Sequence, residues 1–311
     1  MPHPHWIGAE ALERLMPDGI VRHYLAQNLD RPLGGPPIRV VQPDRDGSVI
    51  LMAAGTVDGS WSVVKVLYVR PGNRALSSPK PTVNGSVTIY DAVGDAVTVV
   101  DGAAFTGIRT AAIAAVSTAW LASSVARQAV IGSGLEAYYH AKALSHLPGV
   151  EELRIWSRRA ASAEQLAQRL RVLPQFQDIA VRVHDRIYDA VKDADVITTV
   201  TSSPLPLLTK DLLPQTVLVN AMGAYQPTTR ELASDVVTGA RLYADSVPAC
   251  LAEAGDYLIP ATGGLINLEE IRPLSGADRD GAQEGVTIMK SVGTMLFDVI
   301  CAECLMHQMP R

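Results

Sequence analysis

A chain of 311 residues with 48% hydrophobic content is long enough for two domains and carries ample apolar material for their cores. Its formal net charge of −5, with no run of like charges, excludes the basic footprint of a nucleic-acid-binding surface. Three cysteines, Cys250, Cys301 and Cys304, cannot build a disulfide framework. Cys301 and Cys304 lie one helical turn apart with no second ligand pair, which predicts core packing in place of a metal or redox site. The opening MPHPHWIGAE has no basic region followed by an apolar one, so export is not expected. A long uncharged stretch, 110–126, is rich in Ala, Ser and Thr and is expected to fall short of a membrane span. The expectation is a cytoplasmic protein with neither membrane nor nucleic-acid partner.

Residues 8–16 and 19–28 have helical spacing, parted by Pro17-Asp18-Gly19, and the Pro/Gly-rich segment 31–37 closes that section. β-like runs follow at 38–41, 49–53, 61–69, 86–90 and 96–100. Turn residues separate them at Asp46-Gly47, Asp58-Gly59, Pro71-Gly72, Asn84-Gly85 and Gly94-Asp95, as antiparallel strands require. The first part is therefore a helix-plus-sheet domain. Lys65 stands in the middle of WSVVKVLYV, with Val63 and Leu67 on its own face. It lies on an open face or it meets an anion, because an unpaired buried ammonium is costly. Arg39, in PPIRVVQP, poses the same choice, with exposure the default.

Residues 101–126 read as a long alanine-rich helix starting near Gly102 or Ala104. Arg109 is its one charge before Arg127. Such an arginine either snorkels to solvent or presents a rigid fork to a carboxylate. This helix is the expected crossing between domains.

From Arg127 strands and helices alternate. Strands are expected at 129–131, 153–156, 180–183, 196–200, 217–220 and 242–244, and helices at 135–147, 162–170, 187–192 and 228–236. That order predicts an α/β, Rossmann-type doubly wound parallel sheet. A last apolar helix over 285–306, carrying Ile288, Val292, Leu296, Val299 and Ile300, is expected to return to the first domain. The domains would then be 1–110 with 290–311, and 111–289.

The segment AVIGSGLEAYYHAKAL, 129–144, places a G-x-G-x-x-A pattern between a strand and a helix. Gly132 permits the turn, Gly134 has no Cβ to hold a pyrophosphate away, and Ala137 lets the helix sit close on the sheet. The helix N-terminus, from Leu135, offers free N–H groups to phosphates. After the second strand an NAD enzyme usually places an acid. Here Ser157-Arg158-Arg159 follow, and two guanidinium groups suit a 2′-phosphate unless they are ordinary surface residues. NADPH is favoured over NADH.

Six segments resemble the ornithine cyclodeaminase/μ-crystallin family: VKVLYVRPGN (64–73), DGAAFTGIRTAA (101–112), IGSGLEAYYHAKAL (131–144), VNAMGAYQPTTREL (219–232), EAGD (253–256) and KSVG (290–293). Together they are specific and cover nearly the whole chain. The resemblance implies an α+β dimerisation domain completed by the C-terminal helix, hence a homodimer, with a Rossmann domain between. The apolar strand faces of 49–69 and 86–100, more than the helices can cover, point to the same pairing. The resemblance also implies that Arg39, Lys65 and Arg109 gather around a substrate carboxylate, with Lys65 or a bound water as the acid. Candidate cofactor contacts are Gly132, Ser133, Gly134, Leu135, Ser157, Arg158 and Arg159, completed by Thr110, Thr201, Ser202, Met222, Gly223, Lys290 and Val292.

One departure bears on the reaction. The family's cyclodeaminases read G-A-D-x-P-G-K after the fifth strand. Here Tyr225 stands at the aspartate, and Thr228-Thr229 replace Gly-Lys. Tyr225 is thus a fourth candidate catalytic residue, and the pattern looks more like bacterial reductases of cyclic ketimines such as Δ1-pyrroline-2-carboxylate or Δ1-piperideine-2-carboxylate. The expectation is an NADPH-dependent oxidoreductase acting on a small imino or amino acid. Its rivals are reductive amination of an open-chain 2-oxo acid (alanine-dehydrogenase-like, or N-alkylating), ornithine cyclodeamination, and a non-catalytic μ-crystallin-like binder of NADPH or a small ligand.

Overall fold

In a computed structural model the protein is described over residues 5–45, 47–75, 81–93, 96–277 and 284–309. Asp46 and the pair Gly94-Asp95, assigned above to turns, lie outside these residues. Two compact units emerge, Met1–Arg109 with Met295–Arg311, and Thr110–Thr294. The first holds β1 (His5–Ile7), α1 (Ala9–Leu15), α2 (Asp18–Asn28), β2 (Ile38–Asp44), β3 (Gly47–Gly55), β4 (Trp61–Val69), β5 (Val83–Asp91) and β6 (Ala96–Asp101). Helix α3 (Gly102–Leu121) runs through the boundary. The second holds β7 (Arg127–Ile131), α4 (Leu135–Ser145), β8 (Glu152–Trp156), α5 (Ala160–Arg171), β9 (Ala180–Val183), α6 (Ile187–Val191) and β10 (Val196–Thr199). It continues with β11 (Val217–Ala221), α7 (Ser234–Val237), β12 (Arg241–Ala244), α8 (Val247–Glu253), α9 (Gly255–Thr262), β13 (Arg272–Pro273) and β14 (Val286–Lys290). Helix α10 (Met295–Gln308) returns to the first unit.

The first sheet runs β1-β6-β5-β4-β3-β2, antiparallel except for β1, which pairs parallel with β6 and which the sequence pattern does not announce. Register places Arg39 opposite Met52, Met52 opposite Lys65, Lys65 opposite Val87, and Val87 opposite Val100. Directly opposite residues share a face, so this row lies on one side of the sheet. That side also carries Val63 and Leu67, and α10 packs on it against β3 and β4. The other side leaves Ile38, Val40, Leu51, Tyr68 and Tyr90 exposed, an apolar face on a sheet that is otherwise covered on one side alone.

Helix α3 starts where Asp101 Oδ1 accepts a hydrogen bond from the Ala104 N–H at 2.8 Å, and it stops at Leu121, short of Ala126. At 20 residues the helix, which begins eight residues before the uncharged stretch 110–126, is long and apolar enough, by length and composition, to cross a membrane. Its apolar window is 89% buried within the protein, as a core helix would be.

The second sheet is parallel throughout, in the order β13-β12-β14-β11-β10-β7-β8-β9. The order reverses between β7 and β10, where a doubly wound sheet opens a crevice at its strands' carboxyl ends. Two expected helices are corrected here. Residues 286–290 are not helical but form β14 in the middle of the sheet, between β11 and β12. Val286, Thr287 and Ile288 are β-branched, and Gly293, at φ +87°, ends any continuous helix before Met295. Residues 228–236 give a helix only at Ser234–Val237. The N–H groups of Glu231 and Leu232 both donate to Asp256 Oδ1, at 2.8 and 2.9 Å, so they are unavailable to a helical ladder.

Candidate functional site

Lys65 is fully buried, on the covered face of its strand, which rules out the solvated-edge reading. Its Nζ donates to both oxygens of Asp298, each at 2.8 Å, and Asp298 is itself fully buried on α10. Arg109 comes off α3, 5% exposed, with Nε 3.4 Å from Asp298 Oδ1. Its Nε and Nη1 are buried and make no hydrogen bond. Arg39 is half-buried, two strands from Lys65 and about 10 Å away across the sheet. Its Nη1 lies 3.2 Å from Met52 Sδ. One buried carboxylate thus faces two buried cations, with Arg39 further along the same side of the sheet. Burial pushes the Lys65 ammonium down, Arg109 adds to that, Asp298 opposes it, and the pKa comes to about 8. A surplus of positive charge with unused N–H groups is chemically a receptor for a small anion such as a carboxylate.

Asp298 escaped the sequence reading. The signal was there: a lone acid within MLFDVICA, the mirror of a lone lysine within WSVVKVLYV.

In the second unit, strand β7 enters Gly132 at φ +138°, and a Cβ there would lie 2.8 Å from the Val200 carbonyl oxygen. Only glycine fits that turn. Helix α4 begins at Leu135 with Gly134 as its N-cap, and the fully buried Ala137 faces the core. The first N–H groups of a helix lack intrahelical partners and point outward along its axis. Ser133 and Ser157 share a hydrogen bond between their hydroxyls at 2.9 Å, joining the turn to the end of β8. Arg158 and Arg159 follow, both exposed. These residues fit the pyrophosphate and ribose portions of a dinucleotide. Thr201 and Ser202 follow β10, Met222 and Gly223 follow β11, and Val292 follows β14, all at carboxyl ends of the same sheet. Thr110, on α3, is 8% exposed. Among the described residues no group of His, Cys, Asp and Glu is placed to hold a metal ion.

The loops after β10 and β11 are joined by Glu231, which is fully buried. It accepts from Thr201 N and Oγ1 and Gly223 N, each at 2.7 Å, from Thr199 Oγ1 at 2.8 Å, and from Ala224 N at 3.3 Å. Asp256 supports the segment bearing Glu231 and forms an ion pair with Lys290 Nζ at 2.9 Å. Lys290 also donates to the Ala221 carbonyl at 3.1 Å and is fully buried. Its ammonium is committed inside the unit, so the structure gives it a bracing position in place of the cofactor contact assigned above. Gly255 completes the brace: a Cβ there would meet the Thr229 carbonyl oxygen at 2.1 Å. Tyr225 is half-buried and packs on the core of this unit just beyond the segment Glu231 holds.

Residues 25–309 match the Ornithine cyclodeaminase/mu-crystallin family. The rat ketimine reductase mu-crystallin is 32% identical over 275 residues, covering 86% of this chain and 83% of that one. A Delta(1)-pyrroline-2-carboxylate reductase of Bacillus thuringiensis subsp. konkukian is 31% identical over 251 residues, covering 78% and 75%. Among solved structures, Thermococcus litoralis Delta(1)-pyrroline-2-carboxylate reductase in complex with NADH and L-proline matches with a TM-score of 0.85 at 22% identity, over 98% of this chain and 97% of that one. An archaeal alanine dehydrogenase dimer with bound NAD matches with a TM-score of 0.84 at 20% identity, over 98% and 95%. At these identities the two structures speak for the fold.

Proposed function

The chain belongs to the ornithine cyclodeaminase/mu-crystallin family, and from that premise we propose that it is an NADPH-dependent reductase of a C=N bond beside a carboxylate. Its substrate class is the cyclic 2-imino acid, such as Δ1-pyrroline-2-carboxylate or Δ1-piperideine-2-carboxylate. The observation that carries this reading is Arg109, whose Nε and Nη1 are buried without hydrogen bonds beside a lysine ammonium. The relatives that bear the names ketimine reductase and Delta(1)-pyrroline-2-carboxylate reductase support the same class.

Arg109, aided by Arg39, takes the substrate carboxylate. Orienting it in this way is the chief contribution the first unit makes to the barrier. Lys65 keeps one N–H beyond the two given to Asp298, and that proton goes to the imine nitrogen. When bound, the nicotinamide dinucleotide supplies the hydride that reduces the imine carbon. Gly132, Gly134 and the first turn of α4 cradle its pyrophosphate, and Arg158 with Arg159 pairs a 2′-phosphate. Tyr225 occupies the place of a carboxylate that the family's cyclodeaminases carry, which argues against ornithine as substrate. The exposed apolar side of the first sheet would pair with a second copy in a two-fold dimer.

The test is a cofactor-oxidation screen over cyclic 2-imino acids, 2-oxo acids with ammonia or amines, and ornithine. A cyclic imine with NADPH should turn over fastest, and ornithine with NAD should give no proline. Proline formed from ornithine at a comparable rate would overturn the assignment.

A further inference from the structure

We propose that Asp298 is the positioning residue of this site: it holds Lys65 as an ammonium, aims its remaining N–H at the substrate nitrogen, and steadies Arg109 through a shared oxygen. The proposal rests on the reductase reading and names the residue on which that reading's proton depends.

The geometry is specific. An ammonium has three N–H groups. The two oxygens of Asp298 take two of them at 2.8 Å each, so the direction of the third follows from where α10 puts the carboxylate. The same Oδ1 lies 3.4 Å from Arg109 Nε, close enough to attract it yet without a hydrogen bond that would occupy its donors. Both cations are therefore held by one anion while keeping donors for a ligand.

Of the charged groups that act most on Lys65, Asp298 alone is acidic. From α10 come Asp298 itself and the buried Cys301 thiol, from α3 Arg109, and from β2 Arg39, while the flanking strands place Met52 and Val87 beside Lys65. Without the carboxylate, the buried Lys65 and Arg109 would lose the counter-charge they share, and the lysine is the one able to shed its proton. Burying the acid on an otherwise apolar stretch of helix costs folding free energy that an apolar pair would not, which fits a role in chemistry better than one in stability.

The test reads Lys65 directly. The chain has six lysines, so a 13Cε-lysine spectrum is simple, and the signal missing in Lys65→Arg is that of Lys65. In the unsubstituted protein that signal should titrate near pH 8. In Asp298→Asn it should move down by about 1–3 pH units, and the basic limb of kcat/KM for imine reduction should move with it. Asp298→Glu keeps the charge but displaces the oxygens. Its Lys65 should titrate near the unsubstituted value while kcat falls about 10- to 100-fold, as a shift of roughly 1 Å in a reacting group can cause. An unmoved Lys65 titration in Asp298→Asn, or a full rate in Asp298→Glu, would overturn the proposal. If no imine is reduced, the reductase reading fails on its own, and the titration of Lys65 in the two forms still decides what Asp298 does.

Discussion

Lys65 in the first unit and Lys290 in the second are both fully buried on a β-strand, and each has a carboxylate oxygen within 2.9 Å of its Nζ. Burial pulls both ammonium groups down. At Lys65, Arg109 and Arg39 add to that pull against a single Asp298, and the pKa falls to about 8. At Lys290, Asp256 and Glu231 outweigh it, and the pKa rises above its ordinary value. The same side chain at the same depth is thus set two ways by the charges around it. The first cluster sets Lys65 and Arg109 against one carboxylate and leaves two buried donors of Arg109 without hydrogen bonds, as the proposed anion receptor requires. The second is closed, with Glu231 surrounded by N–H and O–H donors and Lys290 bound to a carboxylate and a carbonyl. One leaves donors open, which the proposed function assigns to a ligand; the other joins two loops.

The largest expected effect separates the two lysines by stability. Lys290→Met leaves two buried carboxylates without their cation and should cost about 3–5 kcal/mol in denaturant unfolding. Lys65→Met leaves Asp298 beside Arg109 and should cost well under half of that while abolishing imine reduction. Equal losses of stability would break the comparison.

Next in size is the anion receptor itself. Arg109→Ala should lower kcat/KM by at least about 100-fold, since a charged hydrogen-bonding partner of the carboxylate is lost. Thermal unfolding should change little, because those donors bond nothing within the protein. A large fall in Tm with kcat/KM preserved would reassign Arg109 to the scaffold.

Arg158→Ala sharpens the cofactor side. One charge-assisted contact is worth roughly 1.5–3 kcal/mol, or about 10- to 100-fold in affinity. NADPH binding should weaken by that factor and NADH binding hardly at all, as read by isothermal titration. Equal losses would remove the 2′-phosphate from the argument.

The smallest effect is in pH. With Lys65 as proton donor, kcat/KM should decline as pH rises through about 8. The sign for stability is opposite. Between about pH 8 and the ordinary lysine value, the unfolded chain binds a proton that the folded one has released, so this group makes stability rise with pH. Lys290, with its pKa raised, contributes stability that is present below the ordinary lysine value and lost only as pH climbs through its raised one. Comparing Tm against pH for Lys65→Met and the unsubstituted protein isolates the first slope, which should vanish in the variant.

What the sequence alone determined is what rests on neighbours in the chain. The turn at Gly132 between β7 and α4 follows from a few consecutive residues, and strands β2 to β6 of the first sheet follow from a period of two with turn residues between. The same local rules misread β14, because a parallel strand buried on both faces has no alternation and its apolar run merges with that of α10. They also misread residues 228–236, where a carboxylate 25 positions away in the chain takes the N–H of Glu231. Lys65 shows the division most plainly. Its place in an apolar strand marked it as either solvated or paired, and nothing nearby in the chain decides between the two. Register across three strands set Arg39 in its row, and the return of α10 brought Asp298 to it from 233 residues further along. A buried charge is tolerated only beside its counter-charge, and that partner is chosen by tertiary packing.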